Sequence, residues 1–520
     1  MGDDQSAVIA FLSNGANYPD RPSTVERIDT HASMVFLAGE LAYKLKRAVR
    51  YDYLDFSTLE LRQHACEAEL RLNRRSAPDL YLGVRSINSD EAGGCRWDGP
   101  GTVLDWLVMM RRFPQDALLD QRAARGLLSL DVMPPLADAI ARFHDGAERV
   151  ASHGGRAGMA WVIDGNAAAF AEHAATLDPG TAGRVTDRCR QELARHGEQL
   201  DSRRVGGFVR RVHGDLHLRN IVMLDGRPTL FDGVEFNDEI ACVDVFYDVA
   251  FLLMDLLRRG LAAHANLAFN RYVAATGDDG GLPLLPLFLA CRAAVRAKTG
   301  ATAARLQSDP VRADATRAAA RGYLTMAERL LIGAGARLVA IGGFSGAGKS
   351  TLAARLAPQL GRAPGALILR SDLIRKSLFG VTPEAALPPA AYAPAVSERV
   401  YVTMAERAAR AIEAGQSVIA DAVHASASAR TTIAGVATRR GVPFTGLWLD
   451  APSDTLERRI AQRTGDASDA TVNVLRAQLA SGAGPLEWHR LNAAANVEDT
   501  VRRAWLEMGR GSAATSPGDR

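Results

Sequence analysis

No two cysteines in this 520-residue sequence stand at Cys-x-x-Cys spacing. Cys66, Cys95, Cys189, Cys242 and Cys291 are scattered along it. That excludes a zinc ribbon and a dense disulfide framework, and suits a reducing, cytoplasmic compartment. A run of about 18 apolar residues is also missing, so no membrane span is predicted. The longest apolar helix, around 243–257, is interrupted by Asp244, Asp248 and Asp255. The opening Met1-Gly-Asp-Asp-Gln-Ser6 is acidic and lacks the apolar core of a secretory signal. It matches the bare Met-Gly-x-x-x-Ser pattern for myristoylation, but no polybasic patch or second lipid site follows, and one acyl chain anchors weakly. Nor is there an excess of one charge: Lys+Arg 62 against Asp+Glu 59 leaves +3. Nothing in that balance calls for nucleic acid or a membrane surface.

What is present fits a globular protein. Hydrophobic residues make up 47% and charged residues 23%, and 520 residues exceed one core, so two or three domains are expected. The most informative stretch is Gly343-Phe-Ser-Gly-Ala-Gly-Lys-Ser350, a full Gly-x-x-x-x-Gly-Lys-Ser match. An apolar strand, Leu338-Val-Ala-Ile341, precedes it, and a helix over 351–360 follows. A strand, a glycine-rich turn and a helix start aim unpaired N–H groups at one anion. Gly343, Ser345, Gly346, Ala347, Gly348, Lys349, Ser350 and Thr351 are the predicted nucleotide-binding residues. Lys349 would reach the β- and γ-phosphates, and Ser350 would offer its hydroxyl to Mg²⁺.

Far upstream, Met34–Leu37 and Leu41–Lys46 read as a hairpin around Ala38-Gly39-Glu40. A strand points Lys44 and Lys46 at one face. Ser57 opens a capping box with Glu60, and the helix that follows, to about Arg75, carries Glu67 and Glu69. A strand lysine with a helix glutamate is how kinase-like folds hold ATP phosphates. A surface lysine and a solvated helix would give the same residues. Thr102–Met110 is a buried-strand candidate. Helices are expected near 133–146, 167–177, 181–201, 243–276 and 283–333, punctuated by Pro134-Pro135 and Gly154-Gly155.

Phe208–Val212 reads as a strand running into His213-Gly-Asp-Leu-His-Leu-Arg-Asn220. A hairpin closed at Asp225-Gly226 then leads to Asp232-Gly-Val-Glu235. Phosphoryl transfer needs a carboxylate for the acceptor hydroxyl and oxygen ligands for Mg²⁺. Asp215 offers the first; Asn220 and Asp232 offer the second. His213-Gly-Asp with Asn220 and Asp232 resembles the catalytic loop and metal aspartate of the aminoglycoside phosphotransferase family, a branch of the protein-kinase-like fold. The resemblance covers roughly 25–330. It implies Asp215 as base, Asn220 and Asp232 as Mg²⁺ ligands, and Lys44 with Glu69 as the phosphate-holding pair, with Lys46 and Glu67 as alternates. It also implies that Asp248 braces the catalytic loop. The chain departs from that family at Asp29-Thr-His-Ala-Ser33, where the ATP-covering loop should sit and no glycine stands.

Gly333-Ala-Gly335 is the expected linker. Beyond the P-loop, Ala366–Arg370 reads as a strand and Ser371–Arg375 as a helix start, so Asp372 and Arg375 share a face. An acid beside a cation suits a hydroxyl acceptor that carries negative charge. Ser417–Asp421 is a buried strand ending in an acid, as a Mg²⁺-side carboxylate or as a helix cap. Phe444–Asp450 is a further strand. Arg459 and Arg463 lie four apart, as lid arginines or as solvated charges. This half resembles P-loop kinases of the polynucleotide-kinase, gluconate-kinase and zeta-toxin type over 335–510. The resemblance implies Asp372 as base, Arg375 as acceptor clamp, Asp421 beside the metal and Arg459 with Arg463 as lid. The order of both halves resembles bacterial fused aminoglycoside-phosphotransferase-like and ATP-binding kinase proteins.

The sequence therefore reads as a two-domain phosphotransferase. An α+β bilobal kinase-like domain spans 1–332, an α/β three-layer P-loop domain with a parallel sheet spans 336–510, and 511–520 is a disordered tail. ATP and Mg²⁺ are the expected cofactors, and a small-molecule hydroxyl is the expected acceptor, whose identity neither fold nor motif sets. Two rivals remain. One is an ATP-binding regulatory protein with a silent half, which the missing glycines favour. The other is a nucleic-acid 5′-hydroxyl kinase in the C-terminal half, against which the near-neutral charge speaks.

Overall fold

A computed structural model of the chain describes residues 4–51, 54–90, 93–462, 468–494 and 496–513. Its contacts divide it into two compact units. One comprises Met1–Ala175 and Thr186–Asp255, the other Thr176–Val185 and Leu256–Arg520.

The first unit is built on a six-stranded antiparallel sheet. Its order is Val25–Asp29, Ser33–Ala38, Leu41–Lys46, Val103–Arg111, Tyr81–Ser89, Cys95–Trp97. Alternation sets its two faces. Tyr43 and Leu45 join Val8, Leu12, Phe36 and Leu107 in one apolar cluster. Ala42, on the opposite face, packs with Cys66, Tyr81 and Val108, on the side of the helix Leu59–Asn73. Lys44 and Lys46 share the parity of Ala42 and so point at that helix. The cap of this helix differs from the expectation. Thr58, not Ser57, accepts the N–H of Leu61 at 3.3 Å, because Ser57 Oγ is taken by Asp55 at 2.6 Å. Pro134-Pro135 lies in the first turn of Met133–Asp145, where missing N–H groups cost nothing. The expected 167–177 and 181–201 helices are longer, Gly155–Glu172 and Pro179–Val205. The expected hairpin Ile221–Leu224 with Arg227–Leu230 is present.

The second unit carries a five-stranded sheet in the order Leu367–Arg370, Val418–Asp421, Leu338–Gly342, Phe444–Asp450, His489–Asn492, with every pair parallel. Helices lie between the strands, as parallel crossovers require. His489–Asn492 was not anticipated; its alternation is polar and only Leu491 is buried. Leu367–Arg370 is an edge strand. Asn270 covers it, accepting from the Ile368 N–H at 2.6 Å and donating to Ala366 O at 3.1 Å. Asn266 donates to Ala366 O at 3.0 Å, and Asp279 takes Arg407 and Arg410. The asparagine contacts satisfy backbone groups that a bare edge would leave open. They tie Ala262–Thr276 to this unit, which also contains Leu285–Leu306 and Pro310–Leu330, so packing divides the chain at Asp255/Leu256 whereas the motifs divide near 333.

The longest apolar helical stretch among the described residues is Asp279–Leu306 rather than 243–257. By length and composition it could cross a membrane, but 78% of its most apolar window is buried. The last helix runs to Ala513; residues 514–520 of the expected disordered tail lie outside the described residues.

Candidate active sites

In the first unit, Lys44 Nζ lies 2.8 Å from Glu69 Oε1 and 2.5 Å from Asp232 Oδ1. Burial alone would push the Lys44 ammonium toward neutrality, but Asp232 and Glu69 outweigh it and hold its pKa well above the usual lysine range. Lys46, the alternate, also reaches Glu69, at 2.5 Å. Glu67 faces solvent and accepts from Gln63.

The residues expected to form the catalytic loop are held by short local bonds. Asn220 Nδ2 donates to Asp215 Oδ2 at 2.9 Å, and His217 Nε2 lies 3.3 Å from the same oxygen. The Phe231 N–H bonds Asn220 O at 3.0 Å, which brings Asp232 beside Asn220. Because Nδ2 of Asn220 faces Asp215, its Oδ1 is left as a possible cation ligand. Asp248 carries out the bracing expected of it. It accepts from the N–H groups of His213 at 3.3 Å and Gly214 at 2.9 Å, and sits 3.0 Å from His144 Nε2. Asp255, which sequence reasoning missed, holds the Leu218 N–H at 3.1 Å. Its signal was available: Asp248 and Asp255 lie seven apart in an otherwise apolar helix, hence on one face.

The glycine-free stretch is a tight connection. Thr30 Oγ1 both donates to Ser33 O and accepts its N–H, each at 2.9 Å, so Thr30-His-Ala32 turns without a flap. His31 stands within the field of Asp215 and Asp232, though burial dominates and lowers its pKa.

In the second unit, a cavity of about 550 Å³ has the P-loop as one wall. Ser345, Gly346, Ala347, Gly348, Lys349, Ser350 and Thr351 line it, together with Asp372, Arg375, Asp421 and Arg459. Gly343 does not. Its φ is +139, and a Cβ there would lie 2.8 Å from Leu449 O, so this glycine lets the loop leave the sheet. Ser350 Oγ bonds Asp421 Oδ2 at 2.6 Å, and Lys349 Nζ bonds Phe344 O at 3.1 Å. The Arg375 guanidinium is buried yet meets only neutral groups among the described residues. It donates to Ala391 O at 2.6 Å and Ser397 Oγ at 3.2 Å, with Tyr392 stacked on it at 4.9 Å. Arg459 donates to Ala493 O at 2.8 Å. Arg463 lies outside the described residues. Sequence reasoning missed Tyr392, Tyr401, Asp469 and Gln478, which also line the cavity. Gln478 Oε1 accepts the Ser345 N–H at 3.0 Å. No spacing rule points to it from 133 residues away.

No cluster of three or more His, Cys, Asp or Glu is set to cage a metal among the described residues. Each site instead offers two hard oxygen groups, Asn220 with Asp232 and Ser350 with Asp421. That donor set fits Mg²⁺, which keeps waters and phosphate oxygens in its shell.

Residues 338–485 match a family model described as AAA domain. An uncharacterized protein of Mycobacterium tuberculosis strain H37Rv, Rv2004c, is 31% identical over 485 residues, spanning 92% of this chain and 94% of the relative. The same figures hold for Mb2027c of Mycobacterium bovis, also described as uncharacterized.

This chain belongs to the family of those mycobacterial proteins.

Among solved structures, a choline/ethanolamine kinase family protein from Mesorhizobium loti aligns at 16% identity and TM-score 0.40, covering 62% of this chain and 95% of that one. A sugar kinase from Janibacter sp. HTCC2649 aligns at 21% and TM-score 0.27, covering 35% of this chain and all (100%) of that one. The family-model match begins at Leu338, the first residue of the strand that leads into the P-loop.

Proposed function

We propose that the protein is an ATP-dependent phosphotransferase with two sites, each moving a γ-phosphate to a hydroxyl of a small molecule. The observation that carries the reading is the cavity shared by the P-loop and by Asp372, Arg375 and Asp421. Lys349 and the loop N–H groups bind phosphate oxygens there. Asp372 orients and deprotonates the acceptor hydroxyl, and Arg375, which meets no carboxylate among the described residues, holds an acceptor anion. Ser350 and Asp421 would hold Mg²⁺. In the N-terminal site Lys44 holds phosphate, Asp215 takes the acceptor proton, and Asn220 with Asp232 would hold the metal. Mg²⁺, when bound, offsets charge on the transferring phosphoryl group. As functional modules we assign 1–332 and 336–510, supported by a family-model match that begins at residue 338. A cytoplasmic location agrees with cysteines that form no disulfide among the described residues.

The test is ATP turnover by the full chain with an acceptor library, reading phosphorylated product by mass spectrometry. Product that disappears in Lys349→Ala or in Asp215→Asn supports the corresponding site. A library product untouched by both substitutions contradicts the reading. One observation favours a second reading for the N-terminal half, in which it binds ATP without transfer: the tight Thr30-His-Ala32 turn has no flap to close over phosphates. That reading predicts nucleotide binding to a Lys349→Ala protein with no product from it.

A further inference from the structure

Lys46 and Glu235 form a second buried ion pair beside Lys44 and Glu69. Side-chain exposure is 2% for Lys46, 5% for Glu235 and 0% for Glu69. Lys46 Nζ also sits 5.0 Å over the Phe56 ring. Lys46 Nζ thus bridges two carboxylates, Glu69 Oε2 at 2.5 Å and Glu235 Oε1. Partners this deep are not chosen by surface convenience. Removing one charge of a buried pair strands the other, which is far costlier than losing an exposed pair.

Glu235 ends the segment Asp232-Gly-Val-Glu235, which opens with the proposed metal ligand. Asp232 has φ +61, a left-handed conformation that residues with a side chain adopt uncommonly. Something must hold it there. Three contacts do so, each from a different element. The Asp232 N–H donates to Tyr81 Oη at 3.0 Å, at the start of Tyr81–Ser89. The Gly233 N–H donates to Asn73 Oδ1 at 2.8 Å, at the end of Leu59–Asn73. Glu235 is tied to Lys46 at the end of Leu41–Lys46. Asn73 in turn donates to Glu69 O at 3.0 Å, so the helix that presents Glu69 also fixes the segment.

We propose that Lys46 and Glu235 are positioning residues of the N-terminal site, holding the Asp232 carboxylate where, with Asn220, it receives Mg²⁺. The proposal rests on the N-terminal transfer reading. Lys44 then needs only Glu69 once Asp232 turns to a cation, and Lys46 keeps Glu69 and Glu235 from facing each other unpaired. A pair that served stability alone would leave the metal-dependent part of nucleotide affinity untouched.

The experiment uses the full chain carrying Lys349→Ala and Ser350→Ala, which disables the P-loop. Calorimetry measures binding of a β,γ-imido ATP analogue in Mg²⁺ and in EDTA. Asp232→Ala sets the full loss of the Mg²⁺ enhancement. Glu235→Gln, which keeps the shape of the side chain, should cut the Mg²⁺ affinity by about 10–100-fold and leave the EDTA affinity within about threefold. Lys46→Met should do the same. Should it fail to fold, Glu235→Gln decides alone. A Glu235→Gln protein that keeps the parent's Mg²⁺ enhancement overturns the positioning role while leaving the transfer reading standing. A parent that binds no analogue in either condition overturns both.

Discussion

Asp248→Asn is the substitution whose consequence follows most directly from distances. Asp248 is fully buried and accepts two loop N–H groups, from His213 and Gly214, while holding His144. An asparagine keeps one acceptor oxygen. With that oxygen on the His213 and His144 side, an amide N–H₂ faces the Gly214 N–H, and a buried donor loses its partner. One such orphan costs about 1–3 kcal/mol, and loss of charge assistance adds roughly 1 more. The sum, about 2–4 kcal/mol, is a large share of the ~5–15 kcal/mol that stabilises a domain. In a unit of this size Tm should fall by roughly 4–16 °C. Asp215 lies one residue beyond Gly214, so a displaced loop also displaces the proposed base. A shift of about 1 Å costs on the order of 10²-fold in rate. Calorimetric melting gives the first quantity. Single-turnover transfer by the N-terminal site, run cold enough that the variant stays folded, gives the second. Unchanged Tm and unchanged transfer would refute the bracing role.

Three further outcomes are expected. Asp215→Asn should leave nucleotide affinity nearly unchanged in equilibrium titration while N-terminal transfer falls by about 10²–10⁴. Asp372→Asn should keep nucleotide binding and lose C-terminal transfer, and Arg375→Ala should mainly raise the acceptor's KM; a wild-type transfer rate in Asp372→Asn would remove that residue from the mechanism. A fragment beginning at residue 256 should melt higher and aggregate less than one beginning at 336, because the shorter one bares the Leu367–Arg370 edge that Asn266 and Asn270 cover. Equal melting and solubility would count against that covering role.

Residues close in sequence were the legible ones. The P-loop announces itself because glycine spacing and a following helix are local requirements. His213, Asp215 and Asn220 are legible for the same reason, being set by one loop. The lysine face of Leu41–Lys46 follows from strand alternation, but choosing Lys44 over Lys46 does not, because both reach Glu69. Contacts between distant residues left no local trace. Lys46 meets Glu235 across 189 positions, and Asn270 meets Ile368 across 98. The edge strand His489–Asn492 buries one residue in four, too little alternation to register as a strand. Ser57 and Thr58 are both good caps, and only the competing Asp55 carboxylate decides between them.

The central claim is that one chain holds two transfer sites. Its most direct test is single-turnover transfer from γ-labelled ATP to the acceptor library, comparing wild type, Asp215→Asn, Lys349→Ala and the double variant. The account predicts that each single substitution abolishes a different labelled product and that the double variant forms neither. A double variant that labels any acceptor at the wild-type rate would contradict it.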